Sequence, residues 1–495
     1  MTTTPMHLLD DELERLTLSW CLKAGMLPMS DGSTKLLAFS GEAALETAEW
    51  AAWKLQWKPS QWSLRGDVAA VERELARLRP RTLSGGEDSW MSALSEEDLA
   101  VGDGSNVDEI RRKSQAEPVV KLVNHLLEEA VHMEATDIHL EPDEDGLSVR
   151  LRIDGLLRDH LVLPLWLQAS VTSRIKILAD LDISEKRLPQ DGRVPYHHGD
   201  EPIDIRVSTL PTHLGEKVVM RLLRRTPAVQ DLEQIGMPPL VQKHFEALSD
   251  RPQGLLFVTG PTGSGKTSTL YAALQRLLPR PINITTLEDP VEYRLRGANQ
   301  VQINEKAGLS FPEALRSILR QDPDVILIGE IRDSETAHIA IQAAQTGHLV
   351  FSTLHTNDAV SAVDRLIELG GSRSLIASAL LGILAQRLVR KVCSCHTVEP
   401  PTALQRERLQ FLGELPARVP QARGCAECGH TGYKGRVGVF ELLDIDDTVR
   451  EAIVAGAPEA EVLRLSSCRS LAMDALDKVE AGITTLDEIL RVALR

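Results

Sequence analysis

Hydrophobic positions along this 495-residue chain change their period from one stretch to the next. Over Glu12–Ala24, Ala43–Leu55 and Val68–Leu78 apolar residues recur at helical spacing, which predicts a small helical domain over residues 1–80. Six of the seven tryptophans (Trp20, Trp50, Trp53, Trp57, Trp62 and Trp90) fall in the first 90 residues, so this core is built differently from the rest. Residues 81–116, with Gly85-Gly86, Gly102, Gly104 and repeated Ser, Asp and Glu, carry too little apolar content to pack alone and read as a flexible linker. An α+β domain is predicted over 117–225: a helix at Val119–His132, alternating strands at Asp137–Glu141 and Leu147–Ile153, a helix near Leu167–Ala179, and strand-like stretches at Ile203–Val207 and Val218–Leu222. A polar connector, 226–236, leads into 237–390. There short apolar runs at 255–259, 282–287, 325–329 and 349–353 alternate with helical segments, which predicts a mainly parallel sheet covered by helices on both faces. Residues 391–437 carry most of the cysteines, and 438–495 read as helices.

Composition narrows the class. A hydrophobic content of 43% supplies sizeable cores for about three domains. The net charge of −16 argues against general attraction to nucleic acid, and no basic, aromatic-studded stretch offsets it. The N-terminus, with Asp10, Asp11 and Glu12 close behind Met1, lacks the basic-then-apolar order of a signal peptide. The longest apolar candidates, near Leu161–Val171 and Leu375–Leu384, fall short of the roughly 18 residues a membrane helix needs. A cytoplasmic protein is expected, with any membrane association made through a partner. Cys21 and Cys468 stand alone, whereas Cys393, Cys395, Cys425 and Cys428 form two close pairs, a pattern that reads as metal before disulfide.

The strongest chemical signal is Gly260-Pro261-Thr262-Gly263-Ser264-Gly265-Lys266-Thr267, set after the apolar run 255–258 and leading into a helix-like segment that begins with Thr267. Glycine at these spacings lets successive backbone N–H groups face phosphate oxygens, and the following helix adds its positive dipole end. Lys266 is expected to reach the β- and γ-phosphates of a nucleotide, with Thr267 on Mg²⁺. A second buried strand, Val325-Ile-Leu-Ile-Gly-Glu330, has glycine where the usual metal-linked aspartate would stand and a carboxylate one residue later. Glu330 is thereby expected to orient and deprotonate the attacking water.

Four long blocks then identify a family resemblance: the loop itself continued to Tyr271, Thr285–Glu292, Leu319–Asp333 and Thr346–Asn357. With Thr136–Pro142 and Leu188–Arg193 upstream, the chain from about 117 to 495 resembles the ATPases of type II secretion and type IV pilus assembly. The resemblance implies a homohexamer with a RecA-like motor domain, a preceding PAS-like α+β domain and a tethered N-terminal domain. It implies that Glu330 is the catalytic glutamate, that Glu288, Asp289 and Glu292 lie in an Asp box, and that His348 and His355 lie in a His box. It also points to Arg206, Arg221, Arg316 and Arg320 as arginines near the phosphates, where guanidinium groups neutralise developing charge. His355 is expected to position water or sense the phosphate.

Members of this family with a cysteine insertion usually show Cys-x-x-Cys twice, a tetrathiolate zinc site. Here Cys425 and Cys428 keep that spacing, but the first pair reads Cys393-Ser394-Cys395-His396. Either Cys393 and Cys395 bind in a tighter loop, or Cys393 and His396 supply the pair and Cys395 is spare; a degenerate, metal-free site is the third possibility. The functional expectation is a cytoplasmic, peripherally membrane-associated ATP hydrolase, with ATP, Mg²⁺ and Zn²⁺, that drives pseudopilus assembly for protein export. Residues 1–116 would dock the cytoplasmic part of an inner-membrane platform protein, and no nucleic acid is involved. Extension of a type IV pilus is the alternative within the family, and a nucleic-acid translocating motor the more distant one.

Overall fold

The structure is a computed structural model that describes residues 7–9, 26–30, 35–39, 48, 51–52, 54–55, 57, 62–66, 71, 81–82, 107–199, 201–224 and 231–492. Its contacts divide it into two units, the first mainly from residues up to 221 and the second mainly from 222 onward.

The N-terminal segment is not purely helical, contrary to the expectation from its spacing. Strands β1 (His7–Leu8), β2 (Met26–Ser30), β3 (Lys35–Phe39) and β4 (Trp62–Gly66) form a sheet in that order. The last pair is parallel and the others antiparallel. β2 and β3 are short apolar runs without polar alternation, because Leu27, Met29, Leu36 and Leu37 are all buried, and such runs cannot be told from helix by period. Ala48, Ala51 and Ala52 are helical and join this core, as does Trp57. The predicted helix Glu12–Ala24 and most of Val68–Leu78 lie outside the described residues.

The linker expectation fails at both ends. β5 (Arg81–Thr82) pairs in parallel with Leu161 and Val162, and α1 (Val107–Ser114) is a helix whose eight residues bury little beyond Ile110 and Ser114. Its charged sequence hid it from an apolar-period reading. The α+β body holds the expected helices and four strand stretches and adds β8 and β9: α2 (Glu117–His132), β6 (Asp137–Asp143), β7 (Gly146–Ile153), β8 (Leu156–Leu163), α3 (Gln168–Leu178), β9 (Gln190–His198), β10 (Glu201–Thr212) and β11 (Gly215–Arg224). The sheet order is β5-β8-β7-β6-β11-β10-β9.

In the second unit, α4 (Pro239–Ser249) precedes strands β12 (Gly254–Thr259), β13 (Ile284–Glu288), β14 (Asn299–Gln302), β15 (Val325–Ile328), β16 (Leu349–Leu354) and β17 (Leu380–Val392). After the small β18 (Thr397–Glu399) and β19 (Val419–Gln421) comes β20 (Tyr433–Asp444). The large sheet runs β14-β13-β15-β16-β12-β17-β20, parallel throughout except for the β17–β20 pair. Alternate residues of one strand feed two cores. Leu255 and Phe257 enter the layer holding α6 (Phe311–Ile318), α7 (Ser334–Gln345), α8 (Ser361–Glu368) and α9 (Arg373–Ala379), while Leu256 and Val258 face α4 and α5 (Lys266–Leu277). Burial on both faces stabilises by about 1.5–3 kcal/mol per large apolar side chain, which explains the unbroken apolar runs.

Three predicted boundaries shift. Leu232 and Ile235, assigned to the connector 226–236, are buried in the second unit's core. β17 crosses the 390/391 boundary and β20 the 437/438 boundary, so the cysteine segment, with the short α10 (Ala403–Arg408), is an excursion between two paired strands. Residues 438–495 therefore begin with strand, followed by helices α11 (Asp447–Ala455), α12 (Glu459–Leu465), α13 (Leu471–Glu480) and α14 (Leu486–Val492). Glu488 of α14 is bound to Arg390 of β17, whose guanidinium lies 3.9 Å from the Tyr433 ring centre. No helix among the described residues is long and apolar enough to cross a membrane.

Candidate active site

The carboxyl ends of β13, β15, β16 and β12 lie side by side in the sheet, next to the middle of β17, and each of the five strands delivers a polar residue to one edge. In an open α/β sheet this edge is where ligands bind. From β12 comes the loop 260–265, in which Gly260, Gly263 and Gly265 have φ of 149°, 81° and 89°. A Cβ on Gly260 would sit 2.4 Å from Gln386 O, and one on Gly265 2.8 Å from Gln386 Nε2, so the second strand β17 presses against the loop and leaves no room for a side chain. α5 starts at Gly265 with no side-chain cap, leaving its first N–H groups open. Ser264 is buried with its hydroxyl unpartnered. An anion at this helix start would satisfy these donors together, so the loop fits a phosphate group.

Lys266 Nζ folds back onto the carbonyl oxygens of Gly260 (2.8 Å) and Pro261 (3.1 Å). Burial, opposed by the charge of Glu330 and aided by that of Arg387, brings its pKa down to about 8. Pro261, Thr262 and Ser268 are exposed, and Thr267 is half-buried at the first turn of α5. Glu330 follows Gly329 at the end of β15. Its Oε2 lies 3.4 Å from His355 Nε2 and its Oε1 2.6 Å from Arg332 Nη2. His355 thus joins the site, whereas His348 does not: it stands at the opposite end of β16, where its backbone oxygen accepts from Gly254 N and its Nδ1 meets Ala343 O at 2.9 Å. A six-residue strand puts about 20 Å between the two.

Of the Asp-box residues, Asp289 and Glu292 are exposed and Glu288 is buried. Tyr271 OH and Thr286 Oγ1 (2.6 Å) both donate to the Glu288 carboxylate, and Gln300 Nε2 lies 3.3 Å from it. Burial and this carboxylate push the Tyr271 phenol well above its ordinary range. Arg316 of α6 pairs with Glu335 of α7, and Arg320, just past the end of α6, donates back to Arg316 O (2.9 Å) and Ser317 Oγ (3.1 Å), so both are engaged within the second unit. Arg206 and Arg221 belong to the first unit. There Arg221 Nε donates to Asp137 Oδ1 at 2.9 Å and Arg206 Nε is buried without a partner.

Sequence reading missed Gln386 and Arg387, both buried on β17. Thr269 Oγ1 donates to Gln386 Oε1 at 2.7 Å, locking that side chain beneath the loop. The available signal was a polar pair in the middle of an apolar strand, where charged side chains are rarely buried without a task. Arg332, exposed beside Glu330, carried no signal beyond its place in a long motif.

At the turn between β17 and β20 the four sulfurs of Cys393, Cys395, Cys425 and Cys428 lie within 4.8 Å of one another. Cys393–Cys425 and Cys395–Cys428 are each 3.9 Å apart and Cys425–Cys428 3.8 Å, too long for disulfides. A zinc ion with sulfur at about 2.3 Å would set tetrahedral edges of about 3.8 Å, so the donor set fits. His396 is turned away, with Nδ1 2.9 Å from Cys393 O. Cys393 with Cys395, rather than with His396, completes the group. Burial opposes a thiolate at Cys428, but the N–H groups of Cys425 and Gly432, each 3.2 Å from its sulfur, help bring it down to about 6.

A glycine loop leading into a helix, beside an acid–imidazole pair on a parallel sheet, defines a P-loop ATPase. The chain belongs to the Type II/IV secretion system protein family, whose model matches residues 112–491. It is 45% identical over 428 residues to the type II secretion system protein E of Klebsiella pneumoniae, covering 86% of this chain and 84% of that one. It is 49% identical over 376 residues to the type IV pilus assembly ATPase PilB of Thermus thermophilus, covering 75% of this chain and 42% of the other. Among solved structures, the Legionella pneumophila ATPase DotB shares the fold with a TM-score of 0.57 at 21% identity, over 76% of this chain and 95% of that one.

Proposed function

We propose that this chain is the cytoplasmic ATPase of a type II secretion system, working as a homohexamer that hydrolyses ATP to drive pseudopilus assembly and protein export. The observation that carries the enzymatic reading is the convergence of the 260–267 loop, Glu330 and His355 on one sheet edge. Lys266 neutralises the β- and γ-phosphates, Thr267 would hold Mg²⁺, and Glu330 takes the proton of the attacking water while His355 holds that carboxylate in place. Glu288 orders the end of β13 through Tyr271 and Thr286, bringing Asp289 to the surface of the crevice. Arg206 and Arg221, from a PAS-like first unit, and Arg316 and Arg320 supply charge to the transition state when subunits close around the nucleotide. The four cysteines would hold a zinc ion, which would serve structure rather than hydrolysis. The secretion reading is favoured over pilus extension because the protein E relative matches along most of both chains, whereas the PilB match covers under half of that protein.

Phosphate release tests the enzymatic part. Glu330→Gln lowers turnover by about 10²–10⁴-fold while a non-hydrolysable ATP analogue still binds, and parental turnover in that variant rejects the assignment. Docking through residues 1–116 is tested in membranes: deleting 1–80 releases the protein from them with its ATP hydrolysis intact, and unchanged membrane association rejects the docking role.

A further inference from the structure

The loop after β16 carries His355, and three side chains from other elements anchor residues 356–359 of that loop. Thr356 N donates to Thr259 Oγ1 at 3.0 Å, tying the loop to the residue before Gly260. Ala359 N donates to the buried carboxylate of Glu441 on β20 at 2.9 Å. Between them, Arg387 Nη2 donates to both Asn357 O (2.9 Å) and Asn357 Oδ1 (3.0 Å). Asn357 itself is exposed, whereas Arg387 is only 6% exposed and its Nη1 has no partner. Burial lowers the Arg387 pKa, which the charges of Asp358 and Glu441 oppose.

A buried guanidinium is costly, and two bonds to one exposed asparagine are a poor return if packing is its sole purpose. The surroundings suggest another purpose. Arg387 lies two residues past Ala385, which pairs with Thr259 at the root of the phosphate loop, so its strand touches that loop and the His355 loop together. We propose that Arg387 is a positioning residue for ATP hydrolysis, fixing the 355–358 loop through Asn357 so that His355 stays against Glu330. Small misplacements of a catalytic group cost about 10²-fold in rate. The Arg387 charge also adds positive potential near Lys266, whose pKa it helps to lower.

This inference rests on the reading of Glu330 and His355 as the hydrolytic pair, and the full-length chain tests the two separately. Asn357→Ala, at an exposed position that does not threaten folding, is compared with Arg387→Met, the double variant and Glu330→Gln. Steady-state phosphate release, analogue affinity and melting temperature are measured on each. The expected result is a kcat about 10- to 100-fold lower in Asn357→Ala with unchanged analogue affinity and melting temperature, and no further loss in the double variant than in Arg387→Met. Parental kcat in Asn357→Ala overturns the proposal, whether or not Arg387→Met folds. Additive losses overturn it too, as does weakened analogue binding in Arg387→Met alone, which would make Arg387 a direct phosphate ligand. Inactive Glu330→Gln beside fully active Asn357→Ala rejects only this inference, whereas active Glu330→Gln rejects the hydrolytic pair itself.

Discussion

The phosphate crevice and the cysteine cluster are reached from the same strand, β17, yet they are built by opposite means. The crevice collects residues from five strands spread over more than a hundred positions, and it leaves donors unsatisfied: the first N–H groups of α5, Ser264 Oγ and Arg387 Nη1. The cluster draws four identical donors from two short turns and closes on itself. An open site exchanges its ligand, and a closed one keeps it. That difference separates a crevice able to exchange a ligand from a cluster whose four sulfurs close on one another.

The largest effect expected from this contrast is at the crevice. Lys266→Ala leaves the phosphate charge uncompensated and weakens analogue binding by at least about 10²-fold, as measured by isothermal titration. Gly265→Ala reaches a similar loss by a different route, because φ of 89° and a Cβ 2.8 Å from Gln386 Nε2 force the loop away from β17. Parental binding by Gly265→Ala would show that the loop does not need its observed shape.

At the cluster the same experiment moves stability instead. Elemental analysis is expected to find one zinc per parent chain, lost in Cys395→Ser and retained in His396→Ala. The melting temperature falls by about 2–4 °C for each kcal/mol lost, with analogue affinity unchanged. Zinc lost from His396→Ala and kept by Cys395→Ser would reverse the ligand assignment, and no zinc in the parent would remove it.

The two sites were also unequally legible in the sequence. Gly260–Thr267 and Glu330 stood out as candidates from the letters alone, because a phosphate loop needs fixed residue types at fixed spacing. For the first cysteine pair thiolate charge favours Cys393 with Cys395, but Cys393-Ser394-Cys395-His396 satisfies two ligand spacings and only the path of the chain turns His396 aside. His348 and His355 sit in one motif block, yet the length of β16 separates them, a distinction that a string of letters does not carry. Gln386 and Arg387 were missed because their contacts are to residues about 30 and 117 positions away. In the fold, parallel strands buried on both faces announced themselves as apolar runs. β2 and β3 did not, because runs of five residues beside helical alanines give no period to read.

The smallest effect separates the open site from the closed one by its protons. Free Lys266 has a pKa brought down to about 8 from an ordinary 10.5, chiefly by burial. Phosphate oxygens beside the ammonium favour the charged form and raise that value. Below about pH 7 the free protein already carries the proton, so analogue binding takes up none at this site. At pH 8 about half the molecules are neutral, and binding takes up about half a proton. Above it the uptake approaches one, and affinity falls by up to tenfold per pH unit until the bound-state pKa is reached. Titrations of the magnesium-loaded analogue at pH 8 in two buffers of different ionisation enthalpy read this fraction directly. Equal heats in both buffers would place Lys266 fully protonated in the free protein and remove burial as a control on nucleotide binding.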